Sequence, residues 1–211
     1  GFTVDSVDSR PGAAAGPAAV RAAAARFIAR IAASPSRSAT DPATGRTLRV
    51  PLGDSNAIDI GDVDAAGWDS VNVGYRAEQI YKPVLDAGGI PLVLGGEHVI
   101  SIVGTPVLGD EFGFLHVGRS LTGSEGSDST DIEVAFGVTG QLPVRWLDGV
   151  SRATTLVITS TDIGRDGIDA ALRRTQEHLA QRPGVVVGID MGIVDAGYAA
   201  GAPEIGIGGV T

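Results

Sequence analysis

His98, Asp190 and Arg119 are the side chains whose chemistry combines most usefully in this chain. An imidazole titrates near neutral pH, a carboxylate can fix its tautomer and raise its pKa, and a guanidinium stays protonated. Each stands at the end of an apolar run that reads as a strand: IPLVLGG (90–96), GFLHV (113–117) and VVVGIDM (185–191). Parallel α/β sheets bind ligands beyond the carboxyl ends of their strands. The residues to question are therefore Gly95 to His98, Val117 to Thr122, Ser160 to Asp162 and Asp190 to Asp195.

The stretch FLHVGRSLTG (114–123) carries no carboxylate, although it lies where such a sheet places its chemistry. Glu97, between Gly96 and His98, is suited to orienting the imidazole. His116, inside a strand and facing away from Leu115 and Val117, reads as a core or interface histidine, and His178, on a charged helix, as an exposed one. Asp59 and Asp62 flank a glycine and read as turn formers. Gly95–Gly96 is a weak signal for an anion cradle. The acidic loop 124–133 reads as a solvated lid and lacks calcium-ligand spacing.

These residues need a scaffold, and 211 residues with 43% hydrophobic side chains suffice for one well-cored α/β domain. Mean hydropathy is +0.18 and the isoelectric point about 4.7. A net charge of −9, with Lys82 the sole lysine, argues against a nucleic-acid groove or an anionic membrane surface. The absence of cysteine excludes disulfides, thiolate catalysis and Cys-based metal sites, and favours the cytoplasm. No apolar run reaches the roughly 20 residues of a membrane helix, and the first residues lack the pattern of a signal peptide.

Short β-branched runs alternate with helical patterns, the signature of a parallel sheet covered by helices. GFTV (1–4) reads as a strand end. GPAAVRAAAARFIARIAA (16–33) reads as a helix with Val20, Ala24, Phe27 and Ile31 on one face. Residues 34–56 read as loop, and AIDIGDV (57–63) as a short strand. YRAEQIYKPVLDAGG (75–89) reads as a helix that Pro83 can kink. The run 90–96 does not alternate and reads as a strand buried on both faces. A helix over 97–108, strand 113–117, polar loop 120–131, strand 154–160, helix 167–181, strand 185–191 and a glycine-rich tail follow.

Four ordered stretches resemble the ureohydrolase family of arginase, agmatinase and formiminoglutamase. DSVDSRPGAAAGPAAVR (5–21) is similar to its D-S turn, R-P-G and G-P-x-x-I-R segment, and IDIGDV (58–63) to its D-x-G-D strand end. PLVLGGEHVIS (91–101) resembles its P-x-x-L-G-G-[DE]-H-S block, and residues 188–211 its S-x-D-x-D tail. The resemblance implies two manganese ions held by the GGxH histidine, a D-A-H-x-D motif and both tail aspartates. Position by position, His98 and Asp190 are retained. Val117, Gly118, Arg119, Ser120 and Leu121 stand in D-A-H-x-D, and Gly192 replaces the second tail aspartate. Thr139 falls at the histidine of the family's S-H-G-T loop if Gly140 is its glycine. Four of six ligand positions are changed, and an arginine there adds positive charge beside any cation. The resemblance then implies that, without the metals, Arg119 pairs with Asp190, since a buried carboxylate is costly alone, and that His98 and Asp190 form either an acid–base dyad or a relic pair that persists because losing one partner would strand the other.

The fold expected is α/β, a three-layer α/β/α with a mainly parallel sheet of arginase type. It forms a single domain over 1–211 that lacks the family's later strands and helices. The function expected is a divergent ureohydrolase-fold protein that has lost the manganese pair. It binds a small polar molecule, or performs metal-independent acid–base chemistry with His98, Asp190 and Arg119. Glu97, Ser120, Thr122, Thr139 and Asp195 are the expected ligand contacts, and no metal or cofactor is expected. Family resemblance implies a homo-oligomer, trimer or hexamer. The alternatives are a noncatalytic subunit of such an oligomer, and a metal-dependent amidinohydrolase acting on C–N bonds.

Overall fold

The computed structural model describes residues 1–3, 12–49, 58–64, 70–96, 111–119, 134–139, 155–195, 197–199 and 209. Contacts divide the chain into two compact units, Gly1–Gly67 with Leu92–Glu97, and Trp68–Pro91 with His98–Thr211.

In the first unit, β1 (Phe2–Thr3) pairs in parallel with β4 (Val63–Asp64), and Phe2 bridges Gly95. A 3-10 turn (Ala13–Ala15) leads into helix α1 (Gly16–Ala33), whose bounds are those the sequence suggests. Pro17 in its first turn needs no intrahelical partner for its missing N–H. Ile31 is buried, but Val20 and Phe27, expected on the same covered face, are 48% and 49% exposed. Residues 34–56, expected as loop, contain a hairpin of β2 (Ser38–Thr40) and β3 (Thr47–Arg49). Asp41 builds its turn, accepting from Ala43 N–H at 3.0 Å and from the Thr44 hydroxyl at 2.6 Å.

The run 90–96 is a correction. It forms no strand beyond the bridge at Gly95, and Ile90 and Leu92 are 93% and 87% exposed. Apolar composition without alternation does not separate a buried strand from an irregular segment. Likewise residues 58–62 take no regular structure, and only Val63–Asp64 is strand.

The second unit opens with helix α2 (Ser70–Asp86), which carries Pro83 in its last turn without ending there and buries Ala77 and Tyr81. Four parallel strands follow: β5 (Gly113–Val117), β6 (Val134–Val138), β7 (Leu156–Thr159) and β8 (Val185–Ile189). Their spatial order is β7-β6-β5-β8. Strand β6 lies in a region where the sequence offered no element. Helices α3 (Ser160–Asp166) and α4 (Ile168–Leu179) form the crossover between β7 and β8. One face of the sheet packs Phe136, Ile158, Leu115 and Val117 against Ile163 and Ala171 of that crossover. The other gathers Phe114, Ala135, Val138, Val157 and Val186. The expected helix 97–108 and loop 120–131 lie outside the described residues.

Candidate functional site

The chain runs from β5 to β6 to β7 in one direction across the sheet, then returns to place β8 on the other side of β5. The strand order therefore reverses between β5 and β8, and in open α/β sheets that reversal opens a crevice at the carboxyl ends. Backbone hydrogen bonds tie the strand ends together there. Asp190 N–H, just past β8, donates to Val117 O at 2.8 Å, and Gly118 N–H donates to Phe136 O at 3.1 Å. Thr139 N–H, just past β6, donates to Arg119 O at 3.1 Å. Three strand ends thus bring Arg119, Thr139 and Asp190 to one edge of the sheet.

A bulge shapes this edge. Phe136 pairs with Ile158 but Val138 with Thr159, so Gly137 is the extra residue. Its φ of +83° suits glycine, and a side chain there would run into Ile193 Cδ1. The shift places Val138 on the same side as Ala135 and Phe114, and sends the chain on to Thr139.

Asp190 is half-buried and caps the 3-10 turn Met191–Ile193, its Oδ1 accepting from Gly192 N–H at 2.8 Å. The ion pair expected between Arg119 and Asp190 is not formed among the described residues. The capping bond to Gly192 is local and costs less side-chain ordering than reaching across the crevice. Arg119 is half-buried with its Nη1 enclosed by protein. The Thr139 hydroxyl is buried with no hydrogen-bond partner among the described residues. Asp195 caps its own turn, accepting from Gly197 N–H at 2.9 Å. His98, Glu97, Ser120 and Thr122 lie outside the described residues.

His116 is fully buried and faces away from Leu115 and Val117, as its place in the strand suggests. Its ring lies against the Cα of Gly118 and is tilted 54° to Phe114, with centroids 6.2 Å apart. Any side chain at Gly118 would enter the space that ring fills.

In the first unit, Asp59 and Asp62 do more than shape a turn. Asp59 accepts from Gly61 N–H at 2.9 Å, and both carboxylates hold Arg21, Asp59 through Nε at 2.8 Å and Nη2 at 3.1 Å. Backbone donation from Gly61, then Arg21, holds Asp59 below the usual carboxylate range; the bond from Arg21 does so first for Asp62. Nothing in the spacing of Arg21 and this turn would have joined them without the fold.

The parallel sheet, its order reversal between β5 and β8 and its helical crossover define an α/β protein. The chain belongs to the arginase family: the model of that family matches residues 1–115. Solved structures agree on the fold. Agmatine ureohydrolase of Thermoplasma volcanium is 21% identical with a TM-score of 0.70, over 100% of this chain and 71% of that one. Formimidoylglutamase of Bacillus subtilis is 18% identical with a TM-score of 0.74, over 99% and 69%. Arginase of Bacillus subtilis is 19% identical with a TM-score of 0.70, over 100% and 80%. No protein of curated function matches the chain. At these identities the likeness carries the fold, a three-layer α/β/α of arginase type.

Proposed function

We propose that this arginase-family chain has lost the family's manganese pair and uses the old crevice to bind a small polar ligand or to run metal-independent acid–base chemistry. The observation that carries the reading is the set of side chains at the β5 and β8 ends. Val117, Gly118 and Arg119 follow one strand and Asp190, Met191 and Gly192 the other, with Asp190 the only carboxylate among these six. Manganese favours carboxylate, imidazole and water oxygen or nitrogen ligands, and these residues do not fit a two-metal cluster. Among the described residues no three His, Cys, Asp or Glu side chains are grouped closely enough to hold a metal ion. Gly192 offers no ligand atom on a side chain, and its amide already engages the Asp190 carboxylate.

In this reading Asp190 and Arg119 face the ligand with His98, and Glu97 orients the imidazole. Ser120, Thr122, Thr139 and Asp195 add polar contacts. The protein works in the cytoplasm as a homo-oligomer; among the described residues no helix is long and apolar enough to cross a membrane. The test is metal stoichiometry by elemental mass spectrometry after loading the purified chain with excess Mn²⁺ and dialysing it. Less than about a tenth of an ion per chain is expected, since missing ligands remove the binding free energy. One or two retained ions would overturn the reading and restore the metal-dependent amidinohydrolase. His98→Ala separates the remaining alternatives: a binder or enzyme loses ligand affinity or turnover, whereas a noncatalytic subunit keeps its assembly.

A further inference from the structure

We infer that helix α1 and the β2–β3 hairpin form a docking surface for a second copy of this chain; the inference rests on the homo-oligomer reading above and names the surface that assembles. Every residue from Ala22 to Arg30 is exposed, and α1 is anchored only through Pro17 and Arg21 near its start and Ile31 near its end. Phe27 and Ile28, consecutive in the chain and so about 100° apart round the helix, are each 49% exposed. Val20 lies two turns before Phe27 on the same row, and it too is exposed. A helix that is apolar on more than one side is ordinarily covered. The hairpin beside it has strands of three residues, and β3 is exposed throughout, Leu48 included. A two-stranded hairpin is marginal in water by itself.

Charge distinguishes the occupant. Six of the chain's 16 Lys and Arg, but one of its 25 Asp and Glu, fall within residues 16–49. Arg21 is taken by Asp59 and Asp62. Arg26, Arg30, Arg37, Arg46 and Arg49 form no ion pair among the described residues. Arg26 and Arg30, one turn apart, run beside the row of Val20 and Phe27, so an apolar strip is flanked by a basic ridge. Its complement is a protein surface rimmed with carboxylates. All but one of the chain's acids lie outside residues 16–49, so a second copy carries such a surface, whereas a net charge of −9 repels nucleic acid and anionic lipid. The contact joins unlike faces, because pairing α1 with the α1 of the second copy would set the two arginine ridges against each other.

The mass of the whole chain is followed by sedimentation velocity and light scattering across a range of concentrations, at about 0.05 M and about 0.5 M salt. A mass above that of the monomer is expected, lost on dilution and lost sooner at the higher salt. Phe27→Asp, and Arg26→Glu combined with Arg30→Glu, alter exposed positions and are expected to raise the dissociation constant at least about tenfold at an unchanged circular-dichroism spectrum. Arg26→Lys combined with Arg30→Lys keeps the charge and should recover most of that loss. Hydrogen exchange reads the same surface in the unaltered chain: amides of residues 22–30 should gain protection as the oligomer forms. An assembling chain whose mass is unchanged in both disruptive variants, or whose residues 22–30 gain no protection, would overturn the inference and leave the homo-oligomer reading intact. A monomer at every concentration would overturn both, and protection of residues 22–30 in that monomer would place another segment of the same chain over α1.

Discussion

Gly118 and His116 constrain each other. The His116 ring is fully buried against the Gly118 Cα, and a Cβ at 118 would also come within 2.9 Å of ring Cε1 and 3.1 Å of Cδ2. The ring is rigid and enclosed, so Gly118→Ala is expected to destabilise the chain by about 1–3 kcal/mol, the usual cost of overpacking. The same change combined with His116→Ala should cost less than the two single changes together, because the collision disappears. Urea unfolding of the four proteins measures that coupling; strict additivity would mean the ring and the glycine do not meet. Gly137 is a different case. Its Cβ would strike only the flexible tip of Ile193, but its φ of +83° strains any other residue. Gly137→Ala should therefore cost about 1–2 kcal/mol from backbone strain, and adding Ile193→Val should restore little of it.

At the scale of elements, helix α3 depends on its first turn. Thr159 and Asp162 form a capping box, with Asp162 N–H donating to the Thr159 hydroxyl oxygen at 3.0 Å and Thr159 N–H to Asp162 Oδ2 at 3.0 Å. Thr159→Ala removes one half of the box and should lower stability by about 1 kcal/mol, read from the urea midpoint at unchanged slope. That box was written in the sequence as T-x-x-D at 159–162, but it follows the strand without a loop, and the helix went unrecognised. Helix α1 and strands β5, β7 and β8 were legible because their apolar runs are bounded by Pro, Gly or polar residues. Strand β6 was not, since VAFGV is short and breaks at Gly137. The run 90–96 misled because an apolar run without alternation records apolarity and not burial. The site was legible only in part. The strand ends followed from the parallel sheet, whereas the partner of Asp190 depended on a turn only two residues away.

For the molecule as a whole, the carboxyls that respond to folding among the described residues are held down by donors, Asp41 first by the Thr44 hydroxyl. Asp59 is lowered first by Gly61 N–H, Asp62 and Asp166 first by their arginines, and Asp162 first by Thr159 N–H. A carboxyl whose folded pKa lies below its ordinary value of 3.8 contributes stability that is complete above that value and lost as pH falls through the folded one. Stability should thus be nearly flat from about pH 5 to 8 and fall below about pH 4. Tyr81 governs the alkaline side. Burial raises its phenol above the ordinary 10.0, so the unfolded chain ionises first and stability should decline as pH climbs past that value. Thermal melts across pH check both limbs. Because Arg21 with Asp59 and Asp62 lies in one compact unit and Arg165 with Asp162 and Asp166 in the other, Arg21→Gln should flatten only part of the acid limb. An acid limb unchanged in Arg21→Gln would mean that the first unit's ion pairs carry none of the pH dependence, leaving it to the Asp41 turn and to the capping box with its arginine.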